Sequence, residues 1–165
     1  MHEIIRFAWG ASSLGDFIVA VSDKGIVALE FGSSRAESED ALRARFPESE
    51  IIDDQRGLSD VLEKVHRAVE EPGFDPAILL DLRGTSYELE VWSMLRAIPA
   101  GETTNYGALA AKLGTRDARE VTEAITRNPI AVLIPCHRVL KKDGSISGYR
   151  WGVKRKRELL KREKI

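Results

Sequence analysis

A single cysteine stands among the 165 residues, and its neighbours are of the kinds that change what a thiol can do. In Pro135-Cys136-His137-Arg138-Val139 a thiol lies beside an imidazole and a guanidinium, directly after the apolar run Ile130-Ala131-Val132-Leu133-Ile134. Cationic neighbours bring the ordinary thiol pKa of ~8.5 down to ~3.5–7.5, so a lowered thiol pKa is expected here. A free cysteine also serves as a small buried hydrophobe, which keeps core filler as an alternative. If the segment is a strand, adjacent side chains point to opposite faces and His137 need not touch Cys136. One cysteine allows no intramolecular disulfide and no multi-cysteine zinc or iron–sulfur site, so no metal is expected and a reducing cytoplasm suits the chain.

The elements that must position this segment read as two regions. Ile4–Trp9, Asp16–Val21 and Gly25–Phe31 gather β-branched and aromatic residues between Gly, Ser and Asp turn signals, which predicts strands, the last two closed into an antiparallel hairpin by Ser22-Asp23-Lys24. A helix is predicted from Arg35 to Arg45, stopped by Pro47, and Leu58, Val61, Leu62, Val65 and Val69 repeat at helical spacing. Ile78–Leu82 reads as a strand or an extended linker, and His2 and His66 as surface residues.

From Thr85 the pattern turns helical. Tyr87, Val91, Trp92, Leu95 and Ile98 share a face, Thr103-Thr104-Asn105 is a cap region, and helices follow over Tyr106–Leu113 and from about Arg116 to Arg127, hinged at Gly114. Two short helices joined at a glycine are the pattern of a helix-turn-helix, whose second helix usually meets DNA. Asn128-Pro129 ends that helix, and the apolar run to Ile134 reads as a buried strand or core segment.

Charge supports an anionic partner. The net charge is −1, yet residues 136–165 carry 11 Lys and Arg against 3 Asp and Glu, leaving 14 against 23 in the remainder. Nucleic acid is the first reading of that split, and a salt-bridged helical end the second. No apolar run reaches the ~18 residues a membrane span needs, so no membrane partner is expected. The first twenty residues lack the basic start and continuous apolar stretch of a secretory signal, so a cytoplasmic location is expected.

Taken with these elements, the chain resembles the O6-alkylguanine-DNA alkyltransferases, also called methylated-DNA–protein-cysteine methyltransferases. Ile134-Pro135-Cys136-His137-Arg138-Val139 matches their nucleophile motif, and Gly144-Ser145-Ile146-Ser147-Gly148-Tyr149-Arg150-Trp151-Gly152 the loop that follows it. Arg83-Gly84-Thr85, Val91-Trp92, Ile98-Pro99-Ala100-Gly101-Glu102-Thr103 and Tyr106 fit upstream. The resemblance covers about residues 83–165, while the N-terminal half agrees only in general pattern. It implies an α/β domain over residues 1–82, similar to a ribonuclease-H-like domain, and a mostly helical domain over residues 83–165 with a winged-helix-like helix-turn-helix.

The activity so implied is direct repair. A guanine alkylated at O6, or a thymine at O4, is flipped out of double-stranded DNA at an unstacking cost of a few kcal/mol, and Cys136 takes its alkyl group irreversibly. The resemblance casts His137 as the base acting through a water and Glu163 as the acid that orients it. It makes Asn128 a hinge bracing the site and Tyr106 a group that rotates the phosphate and protonates the departing guanine. The Cys136 and Val139 carbonyls read the exocyclic amine and the Arg150 N–H faces O6, while Tyr149 and Trp151 line the pocket, Trp151 narrowing its mouth. Arg119 enters the minor groove behind the flipped base, with Ala118, Thr122, Tyr106 and Arg138 among the DNA contacts. No cofactor is implied, and a monomer is expected.

The recognition helix departs from the family. Its turn is one residue short, and Glu120, Thr122 and Glu123 stand where small side chains are usual. Carboxylates repel phosphate, so weakened DNA binding is expected. Pairs four apart, Arg116–Glu120, Arg119–Glu123 and Glu123–Arg127, are expected to absorb part of that charge. Three other functions fit some of these residues: a self-alkylating protein that takes free benzylguanine-like substrates, a lesion-binding protein, whose known relatives lack the cysteine, and a Cys-His hydrolase.

Overall fold

The β-branched clusters at the start of the chain pair into a four-stranded sheet. In the computed structural model, which describes residues 2–114 and 117–164, β1 (Ile4–Gly10), β2 (Phe17–Val21) and β3 (Ile26–Phe31) are followed by α1 (Arg35–Arg45), β4 (Glu50–Asp53) and α2 (Ser59–Glu70). Next come α3 (Ser86–Arg96), β5 (Thr104–Asn105), α4 (Tyr106–Lys112), α5 (Ala118–Thr126), a 3-10 turn at Cys136–Arg138, β6 (Val139–Leu140) and α6 (Val153–Arg162). The chain divides into two units, one running to Glu70 and including Phe74–Leu82, the other holding Glu71–Gly73 and the chain from Arg83 onward.

In the first unit the strand order is β3-β2-β1-β4. The hairpin partners β2 and β3 are antiparallel, as are β1 and β2, and β4 runs parallel to β1. Phe7, Trp9, Ile18, Ala20 and Val27 bury one core with Leu42 and Phe46 of the α1 region. Ser34 caps α1 by accepting from the Glu37 N–H, which satisfies one of the free donors at a helix start. The strand β4 was not anticipated, because Ile51-Ile52 between Glu50 and Asp53 is too short to show alternation; pairing along the β1 edge makes it a strand. Ile78–Leu82 is extended and touches the sheet through a single bridge, Ile26 to Leu80. His2 and His66 are exposed.

The second unit is mainly helical. Thr85 opens α3 with a capping box, its hydroxyl accepting from the Glu88 N–H while the Glu88 carboxylate accepts from the Thr85 N–H. Val91, Trp92 and Leu95 are buried along α3, and the Trp92 indole donates to the Ala124 carbonyl of α5 at 2.8 Å. Asn105 caps α4, and Gly114, at φ +75°, takes the left-handed conformation that ends it. Asp117 caps α5, so the helix begins two residues after the expected start; Arg116 itself, with its pair to Glu120, lies outside the described residues. Ile130, Ala131 and Ile134 are buried while Val132 and Leu133 between them are half-buried, and the run forms no strand. It folds as a turn in which Val132 adopts φ +65°, and a short parallel pair, β5 with β6, lies on either side of it in sequence.

Candidate active site

The compact turn at Ile130–Ile134 delivers Cys136 to a 3-10 turn, and Asn128 fastens both ends. Asn128 is fully buried. Its Oδ1 accepts from the Ile130 N–H at 2.9 Å, and its Nδ2 donates to the Ile134 carbonyl at 3.0 Å and to Cys136 Sγ at 3.3 Å. The asparagine therefore holds the sulfur directly as well as the chain that carries it.

Cys136 is 4% exposed, and burial pushes the thiol pKa up to about 11. The Asn128 hydrogen bond and the Lys156 and Arg150 charges pull the other way without prevailing. The lowered thiol pKa expected from the sequence is thus corrected: a buried thiolate loses more hydration than these cations return. Adjacency misled, because Arg138 does not face the sulfur. Its Nε donates to Glu163 Oε1 at 2.6 Å and another guanidinium nitrogen to the Ile98 carbonyl at 2.5 Å, with 14% of the side chain exposed. Two of the five guanidinium donors of Arg138 are thus engaged inside the fold.

A thiol that stays protonated needs a base, and His137 is placed as one. The ring is 1% exposed, with Nε2 2.6 Å from Glu163 Oε2. Burial lowers the His137 pKa and Glu163 only partly restores it, so the imidazole is neutral at pH 7. A neutral ring facing a carboxylate carries its proton on the Nε2 side. Nδ1 is then bare, and it is buried without a hydrogen-bond partner. Burial works to raise the Glu163 carboxyl, but His137 and Arg138 outweigh it and hold the group ionised.

The other expected residues gather at this end of the unit. Tyr106, first in α4, has its hydroxyl 2.5 Å from Ser147 Oγ. Tyr149 and Trp151 meet edge to face at 5.3 Å, and the Tyr149 hydroxyl is buried without a partner. Arg150 stacks over Trp151 and donates to the Asn128 carbonyl at 2.5 Å. The Cys136 carbonyl accepts from the Val139 N–H and the Val139 carbonyl from Lys156 Nζ at 2.7 Å, leaving each a second lone pair for a ligand. Lys156 and Ser147 were not singled out from the sequence. The available signal was a lysine three and four residues before Leu159 and Leu160, on the apolar face of α6.

The outer face of α5 exposes Arg119, Glu120, Thr122 and Glu123, with Ala118 half-buried. Of the expected pairs within the helix, neither Arg119–Glu123 nor Glu123–Arg127 closes as an ion pair, and Arg116–Glu120 lies outside the described residues. The Arg119 side chain, 90% exposed, turns back to the capping Asp117 at 3.2 Å. Arg127 reaches Glu88 of α3 at 3.4 Å, a carboxylate that is 8% exposed and gains more from a nearby guanidinium than exposed Glu123 does.

Residues 86–165 match the family model described as "6-O-methylguanine DNA methyltransferase, DNA binding domain". The chain is 38% identical over 160 residues to the bifunctional transcriptional activator/DNA repair enzyme Ada of Escherichia coli, covering 96% of this chain and 45% of that one. The chain thus spans about half the length of the curated relatives it matches. A methylated-DNA–protein-cysteine methyltransferase of Mycobacterium tuberculosis is 49% identical over 86 residues, 52% of each chain. The crystal structure of Mycobacterium tuberculosis OGT in complex with DNA superposes with a TM-score of 0.78 at 32% identity, covering 96% of this chain and 92% of that one.

Proposed function

The chain belongs to the 6-O-methylguanine DNA methyltransferase family, and from that premise we propose that it repairs double-stranded DNA by moving an alkyl group from O6 of guanine to Cys136, once per molecule. The observation that carries the reading is the buried line from Glu163 through His137 to an unpartnered Nδ1, on the same 3-10 turn as the Asn128-held thiol. Such a line ionises the sulfur only when its proton has somewhere to go.

In the proposed step the Cys136 proton passes through a water to His137 Nδ1, and Glu163 stabilises the imidazolium. Sulfur attacks the alkyl carbon, the carbon–O6 bond breaks, and its electron pair leaves with the guanine, which takes a proton from Tyr106. The thioether cannot be hydrolysed back. Tyr149 and Trp151 wall the flipped base, the free lone pairs of the Cys136 and Val139 carbonyls accept its exocyclic amine, and the Arg150 N–H faces O6. Arg119 fills the gap in the duplex, with Ala118 and Thr122 against the backbone. Nucleophile, base and acid are all side chains of one copy, so the step calls for no cofactor and runs in a monomer. We assign the fold in finer terms as a ribonuclease-H-like domain over residues 1–82 and a winged-helix-like catalytic domain over residues 83–165.

Single-turnover transfer from a duplex containing O6-methylguanine tests the relay. His137→Ala and Glu163→Gln are expected to slow transfer by ~10²–10⁴-fold, the range for general acid–base groups. Rates equal to wild type would overturn the assignment.

A further inference from the structure

Lys156 is fully buried, and the proposed chemistry leaves it unused. Its Nζ faces three acceptors, the Val139 carbonyl at 2.7 Å, Ser147 Oγ at 2.9 Å and the Gly148 carbonyl at 3.4 Å. None is a carboxylate. Three acceptors match the three protons of an ammonium, so Ser147 Oγ receives one of them. Either hydroxyl can donate across the 2.5 Å between Ser147 Oγ and the Tyr106 oxygen, and the ammonium leaves the Ser147 proton able to do so. With Ser147 as the donor, Tyr106 keeps its own proton for a group on its other side.

We propose that Lys156, acting through Ser147, is a positioning residue that aims the Tyr106 hydroxyl proton at the departing base and replaces it as it is given up. The inference rests on the alkyl-transfer reading and deepens it. As the carbon–O6 bond breaks, Tyr106 gives its proton to the guanine ring, Ser147 gives its own to Tyr106, and Lys156 gives one to Ser147. The lysine ends as a neutral amine and regains its proton from solvent, which also takes the proton held by His137. The overall reaction is thiol plus alkylguanine to thioether plus guanine.

Loss of the Lys156 proton reverses the chain. A neutral amine has two donors and one lone pair, so the Ser147 hydroxyl turns to donate to Nζ, and Tyr106 turns to donate to Ser147 rather than to the base. Burial lowers the Lys156 pKa to about 8, which places that reversal in an accessible range. The titratable groups that face Lys156 are Cys136 and His137 from the reactive turn and Tyr106 through Ser147. Glu163 at the end of α6 faces His137.

The test is the wild-type to Ser147→Ala ratio of single-turnover rates on the O6-methylguanine duplex, from about pH 6.5 to about pH 9.5, where the titrations of Cys136 and His137 cancel. Expected is a ratio of roughly ten or more below pH 8 that falls towards one above it. Lys156→Arg keeps its proton, so its rate relative to Ser147→Ala is expected to stay high across the range, while Lys156→Met follows Ser147→Ala. Melting temperatures report whether each variant folds, and Ser147→Ala decides the matter if the lysine variants do not. A ratio of one, or one that does not change with pH, overturns the inference while wild-type transfer leaves the alkyl-transfer reading standing. Absence of wild-type transfer overturns both.

Discussion

At Cys136 the sulfur is controlled by burial and by its contacts rather than by its sequence neighbours. Arg138 stands two residues away yet serves Glu163, while Lys156, twenty residues on, acts on the thiol. Cys136, His137, Glu163 and Asn128 were legible because their types and spacing match a known motif. Lys156 and Ser147 were not, because a lysine on an apolar face shows its partners only after folding. The buried imidazole has a consequence for stability. Its folded pKa lies below the ordinary 6.5, so as pH falls below about 6.5 the unfolded chain takes up a proton that the fold resists, and stability is lost. The Glu163 carboxyl, also lowered, adds to that loss at more acid pH. Denaturant midpoints of wild type are therefore expected to fall between about pH 7 and about pH 5 more steeply than those of His137→Gln, and parallel curves would contradict this.

Among the elements, α5 carries the largest difference between expectation and structure. Its existence between Gly114 and Asn128 was readable from the sequence, and it buries Val121, Ala124 and Ile125. The partners of its charges were not, because a capping aspartate and a buried carboxylate on α3 compete better for arginine than neighbours on the same helix. Neither Arg119 nor Arg127 closes an ion pair with Glu123, and Glu120 and Glu123 both lie on the exposed face. Glu120→Ala/Glu123→Ala is expected to bind duplex DNA about threefold to tenfold more tightly at low salt, converging with wild type at high salt as screening removes the repulsion. A salt titration by fluorescence anisotropy measures this, and equal affinities throughout would contradict it. The strands β4, β5 and β6 escaped the sequence for a different reason: at two to four residues they exist through pairing, not propensity.

Over the whole molecule, the chemistry and the stability are joined at one sulfur. An alkyl group on Cys136 adds bulk where the residue is 4% exposed and its Sγ is hydrogen-bonded to Asn128, and overfilling a packed site costs ~1–3 kcal/mol. The alkylated protein is expected to melt several degrees below the free form, and equal melting temperatures would contradict that. Of the two units in the structure, the second takes in Glu71–Gly73 as well as the chain from Arg83 onward. Pro72-Gly73 marked the end of α2 but gave no sign of which unit it packs with, since that depends on tertiary contacts. Intact-protein mass spectrometry after incubation with a duplex containing O6-methylguanine tests the proposed function most directly. Expected is one adduct of about 14 Da on wild type, complete at one equivalent of lesion, and none on Cys136→Ala; an unchanged wild-type mass, or an equal adduct on Cys136→Ala, would contradict transfer to this cysteine.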